Sequence, residues 1–135
     1  MPAPAPAPAS RDPRRILGAR GERIAAERLM AAGYRILDRN FRTRHGELDL
    51  VASDGRALVF CEVKTRVARG RASPYGPFTS LGRGKQRQVR SMAREWLANR
   101  GAHACSAGEL RFDAIGVTVS ASGEVLAVDH LEGAF

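Results

Sequence analysis

The pair Asp54-Gly55, set between two apolar runs, limits more than any other feature what this chain can fold into. Residues 46 to 66 read as two strands joined at that pair, because a tight hairpin turn needs positive φ angles that Gly adopts at little steric cost. In the second run side chains alternate, so Leu58, Phe60, Glu62 and Lys64 are expected on one face and Val59, Cys61 and Val63 on the other. In the first run the same rule puts Leu48 and Leu50 on one face and Glu47, Asp49 and Val51 on the opposite one. Both strands are apolar enough to be central, yet they carry Asp49, Glu62 and Lys64. Charge buried without partners is costly, so these three side chains need a reason to be there.

A chain of 135 residues with 44% hydrophobic side chains is enough for one domain with a modest core. Its formal charge of +8 is unevenly placed: residues 1 to 100 carry 21 basic and 9 acidic groups, residues 101 to 135 carry 1 and 5. A basic body suits a polyanionic partner, nucleic acid ahead of membrane, since no amphipathic anchor or long apolar run accompanies the charge. The plainer alternative is a basic surface that only keeps the protein in solution. Of the 22 cationic residues, 20 are Arg and only Lys64 and Lys85 are Lys. Where Arg is so favoured, the surviving lysines mark positions at which a compact point charge serves and a planar fork does not. Cys61 and Cys105 are too few for a disulfide scaffold and lie in no CxxC or Cys/His cluster, so they read as free thiols. The Pro-Ala start lacks the basic and apolar regions of a secretion signal, and a cytoplasmic protein is expected.

In chain order, residues 1 to 13 read as an extended or disordered tail and residues 14 to 135 as the folded domain. Residues 16 to 32 read as a helix whose buried stripe holds Leu17, Gly21, Ile24, Ala25, Leu29 and Ala32, ended by Gly33. Glu22 falls on the border of that stripe and Glu27 opposite it. Strands are expected at 34 to 43, 47 to 53 and 57 to 66. Residues 67 to 79, with two Gly and two Pro, read as a loop over a site and bring Arg69 and Arg71. Residues 81 to 100 form a second helix with Val89, Met92, Ala93, Trp96 and Leu97 inward. Arg83, Arg87, Arg90 and Arg94 make a separate cationic stripe, a phosphate track or a solvated face. Strands at 109 to 119 and 124 to 131, turning at Ser122-Gly123, complete the order α-β-β-β-α-β-β. That order predicts an α/β domain, a central mixed sheet of about five strands flanked by helices.

Asp49 and Glu62 lie on adjacent strands, with Lys64 two residues beyond Glu62. Mg2+ or Mn2+ takes oxygen ligands, commonly one or two carboxylates and waters, and the carbonyl of Val63 offers a third protein ligand. Such an ion lowers the pKa of a bound water and neutralises charge on a phosphate, and a nearby Lys can orient or deprotonate that water. The competing reading is a buried Glu-Lys ion pair with Asp49 serving the turn, and spacing alone does not separate the two.

Gly46-Glu47-Leu48-Asp49-Leu50 followed by Phe60-Cys61-Glu62-Val63-Lys64-Thr65-Arg66 resembles the nuclease superfamily named for its Pro-Asp...(Asp/Glu)-x-Lys signature. Residues 18 to about 117 resemble the bacterial YraN family, itself similar to archaeal Holliday junction resolvases. Gly18-x-x-Gly21-Glu22, Asn40-Phe41-Arg42, Lys85-Gln86 and Arg111-Phe112-Asp113 extend the match. The one departure is Leu48 in place of the signature Pro. The resemblance implies a restriction-endonuclease-like domain that cleaves nucleic acid with Mg2+ or Mn2+. In it Asp49 and Glu62 hold the metal, Lys64 is the catalytic lysine and Glu22 the helical acid completing the site. Lys85, the four α-helical arginines, Arg69 and Arg71 would then grip the backbone of structured or branched DNA, ahead of RNA. A homodimer would suit cutting two strands. The same fold without turnover would leave a binding module, and incidental charge would leave an interaction protein.

Overall fold

The computed structural model describes residues 12–68, 82–100 and 108–135. Seven elements follow in the predicted order: α1 (Pro13–Ala31), β1 (Arg35–Thr43), β2 (Gly46–Ser53), β3 (Ala57–Val67), α2 (Arg83–Arg100), β4 (Glu109–Val119) and β5 (Val125–Leu131). The strands form one sheet in the order β1-β2-β3-β4-β5, antiparallel throughout except for β3 with β4.

Helix α1 starts earlier than periodicity alone suggests. Pro13 occupies the first turn and the Asp12 carboxylate accepts from the Arg14 N–H at 3.0 Å. Both are strong start signals, since a capping oxygen satisfies an orphan N–H and Pro has none to lose. Asp12 and Pro13 therefore belong to the helix and not to the tail; the rest of the tail lies outside the described residues. The expected Asp54-Gly55 turn is present: Gly55 has φ +93°, and Asp54 Oδ1 accepts from the N–H groups of Arg56 and Ala57, both at 2.8 Å.

Alternation along β3 divides the core into two clusters on opposite faces of the sheet. Ala57, Val59 and Cys61 join Ile115, Val117 and Val119 under Ala25, Ala26 and Leu29 of α1. Leu58 and Phe60 meet Val89, Met92, Ala93 and Trp96 of α2. Phe60 and Trp96 pack edge to face at 5.8 Å, a geometry worth about 0.5–1.5 kcal/mol beyond the area buried. The Trp96 indole N–H reaches Asp38 Oδ2 at 2.8 Å, so its polar edge is satisfied. In β2 the alternation does not hold through Asp49. Leu48 packs under α2 and Leu50 under α1, which corrects the expectation that both share a face.

Asp113 on β4 is fully buried and bound on every side. Arg111 reaches both carboxylate oxygens at 2.9 Å, His130 Nε2 lies 2.7 Å from Oδ2, and the Gly133 N–H donates to Oδ1 at 3.0 Å. Arg111 also donates to the Tyr34 hydroxyl at 2.6 Å. The group ties β4, β5 and the residue just before β1 together.

Candidate functional site

Pairing between β2 and β3 runs only from Ser53↔Leu58 to Leu50↔Cys61. Beyond it the Asp49 side chain takes over: Oδ2 accepts the Val63 N–H at 2.8 Å, where a strand carbonyl would otherwise serve. This fixes the carboxylate and explains the break in alternation, because the side chain must turn toward β3. Asp49 is 9% exposed. Burial, and then the charges of Glu62, Glu22 and Glu47, push its pKa up to about 8, against the opposing pull of the Val63 N–H.

Three carboxylates converge here. One oxygen each of Glu22, Glu47 and Asp49 lie within 4.8 Å of one another. Glu22 is delivered by close packing of α1 on β3: a Cβ at Gly21 would lie 1.7 Å from Thr65 Oγ1, so only glycine lets the helix approach so far. Burial and then Glu47 raise the Glu22 pKa, opposed by hydrogen bonds from Asn40 and Asp49 and by the Arg42 charge. Asn40 adopts φ +51°, a left-handed conformation that Asn tolerates better than most residues. With its amide nitrogen turned to the carboxylates, Asn40 donates to Glu22 Oε2 at 2.8 Å and Glu47 Oε1 at 3.0 Å. Arg42 Nε lies 3.2 Å from Glu47 Oε2.

These residues fit a hard divalent cation. The donors are all oxygen, which suits Mg2+ or Mn2+ and not a thiolate-loving metal. The raised pKa values of Glu22 and Asp49 reflect burial and repulsion by neighbouring carboxylates that a bound dication relieves. Glu62 stands beside this group, close enough to raise Asp49, and its Oε1 is 3.0 Å from Lys85 Nζ. An ion pair of Glu62 does exist, but its partner comes from α2 and is not its strand neighbour Lys64. Lys64 is exposed, and Val63 is half-buried with its N–H on Asp49.

A cleft of about 1040 Å³ opens over the carboxylates, lined by Arg15, Asn40, Arg42, Lys85 and Gln88 among others. Arg83, Arg87, Arg90 and Arg94 are all exposed, and Arg90 lies 5.3 Å over the Phe112 ring. Arg69 and Arg71 fall outside the described residues. His45 pairs with Glu95 at 2.7 Å. Sequence reasoning passed over Glu47, Asn40, Arg42 and Arg15. Glu47 was legible, being two residues from Asp49 in the same strand; Asn40 and Arg42 approach only once β1 is paired with β2.

The sequence pattern of the uncharacterised protein family UPF0102 matches residues 21–117. A UPF0102 protein of Geobacter sulfurreducens is 45% identical over 121 residues, covering 90% of this chain and 89% of that protein. One of Rhodococcus jostii is 43% identical, covering 88% and 95%. Among solved structures, SfsA of Pyrococcus furiosus in complex with Ca2+ matches with a TM-score of 0.41 at 21% identity, covering 87% of this chain and 64% of that one.

Proposed function

This chain belongs to the family UPF0102, the YraN family of the sequence resemblance, and from that premise we propose that it is a metal-dependent endonuclease acting on structured or branched DNA. The observation that carries the reading is the meeting of Glu22, Glu47 and Asp49 in a cleft walled by Arg15, Arg42 and Lys85. Cationic walls attract a phosphodiester while the carboxylates repel it. A divalent cation between them resolves the conflict.

Asp49, Glu22 and Glu47 would hold the cation, with Glu62 beside them. When bound, it supplies a water of lowered pKa and neutralises charge on the phosphate. The rest falls to the chain itself. The Val63 N–H and the Asn40 amide hold the carboxylates in place, so no reorganisation is needed at the moment of reaction. Lys64 would orient the attacking water, and the exposed arginines of α2 would grip the backbone through charge. Affinity then falls steeply with added salt.

The test is a cleavage panel of duplex, flap, four-way junction and RNA in Mg2+ and Mn2+, with Asp49→Ala, Glu62→Ala and Lys64→Ala beside the native protein. Cutting of branched DNA that all three changes abolish, with binding retained, supports the reading. Cutting of RNA alone reassigns the substrate. Salt-sensitive binding without cleavage in either metal leaves a binding module.

A further inference from the structure

We propose that Lys85 is an internal counter-ion: its ammonium holds Glu62 in the metal-free protein, and a divalent cation must take Glu62 from it. The inference rests on the reading of the carboxylates as cation ligands and adds a competitor at that site.

Four observations meet at this residue. Lys85 Nζ lies 3.0 Å from Glu62 Oε1; the Glu62 side chain is 15% exposed and that of Lys85 42%, so a sheltered carboxylate is met by an ammonium that keeps its access to solvent. Glu62 is the strongest of the charged neighbours acting on Asp49, so whatever neutralises Glu62 also acts on Asp49. Lys85 lines the same cleft as Glu22, Glu47 and Asp49. Finally, it is one of two Lys in a chain with twenty Arg. A compact ammonium can stand where a small cation belongs, whereas a guanidinium is a broad plane.

Lys85 also sits in the first turn of α2, two residues beyond Arg83 and two before Arg87. The contact therefore links the helix that carries the cationic stripe to the strand that carries Glu62. With the cation in place Lys85 is released, and its charge becomes available to a phosphate in the cleft.

The experiment measures Mn2+ binding to the full-length protein by calorimetry, without nucleic acid. Lys85→Met is expected to tighten Mn2+ binding by about 5- to 10-fold, the range of a modest coupling between two sites. Arg87→Met removes the same charge from the same helix without touching Glu62, and should leave affinity at the native value. In a Glu62→Gln background Lys85→Met should have no effect. Unchanged or weaker binding in Lys85→Met overturns the proposal, as does equal tightening in Arg87→Met or tightening that persists beside Glu62→Gln. In each of these three cases the metal reading survives, since the native protein still binds. If the native protein and all variants fail to bind Mn2+, the metal reading fails and the counter-ion role falls with it. Thermal unfolding in EDTA confirms that each variant is folded; Lys85→Gln replaces Lys85→Met if the latter is not.

Discussion

Asp49→Asn should make the metal-free protein more stable at neutral pH. The folded-state pKa of Asp49 stands near 8, against an ordinary value of 3.8. Below 3.8 the side chain is protonated in both folded and unfolded chains and contributes nothing. Above it the unfolded chain ionises while the folded one keeps its proton, so each pH unit removes about 1.4 kcal/mol of stability until the folded value is reached. From pH 4 to pH 7 this amounts to about 4 kcal/mol, or about 2 kcal/mol where Glu22 shares the proton. Asn escapes the penalty because it does not ionise, and its carbonyl oxygen can still accept from the Val63 N–H. Urea unfolding in EDTA, followed through the single tryptophan, should place Asp49→Asn about 2 to 4 kcal/mol above the native protein at pH 7, with the gap closing at pH 4. Mn2+ at 100 times its Kd should restore about 2.7 kcal/mol to the native protein and little to the variant. No gain at pH 7, or the same gain at pH 4, would refute the picture of Asp49 as a buried carboxylate strained by its neighbours.

Two further expectations concern the scaffold. Gly21→Ala places a Cβ 1.7 Å from Thr65 Oγ1 and 2.8 Å from its Cβ. Overpacking of about 1–3 kcal/mol then outweighs the ~1 kcal/mol that Ala offers a helix, and urea unfolding should show net destabilisation. Adding Thr65→Ala should return part of it, and a stabilising Gly21→Ala would contradict the close approach. Asp113→Asn should cost about 3–5 kcal/mol at pH 7 by leaving the largely buried Arg111 without its charge partner. Burial alone would raise the Asp113 pKa, but hydrogen bonds from His130, Arg111 and Gly133 together outweigh it and hold the group below 3.8. Its contribution is therefore complete above pH 4 and fades as pH falls through the folded value, so the gap between native and variant must narrow in acid. A gap that stays constant across an acid titration would sink this assignment.

Most elements were legible because local signals agreed with one another. The Asp54-Gly55 turn, the two apolar runs and the alternation of β3 all require the same hairpin, and its strands end within a residue or so of expectation. The α2 stripe likewise foretold the burial of Val89, Met92, Ala93 and Trp96. What failed was local regularity under tertiary demand. Leu48 and Leu50 part company because Asp49 turns to satisfy a backbone N–H on β3, and no pattern within β2 records that need. Glu62 lies two residues from Lys64, so spacing favours that pair, yet the lysine that reaches it arrives from a helix on the far side of a long connection. Glu22 was placed by helical geometry only as far as the border of a face. Its approach to Asp49 depends on Gly21, whose missing side chain reveals itself only against Thr65.

The sheet has one parallel pairing, and it joins the two strands that lie furthest apart in the chain among those paired. β1, β2 and β3 follow one another through short turns, as do β4 and β5, so those ladders close between near neighbours in the chain. β3 and β4 align in parallel along the full length of both, and can do so only after α2 has been carried across the sheet. Long loops close late because their entropy is lost before any contact rewards it. Glu47 and Asp49 belong to the early meander, Lys85 to the late crossover. The acids of the site thus lie on strands joined by short turns, whereas the ammonium that meets Glu62 comes from the one long-range crossover of the fold.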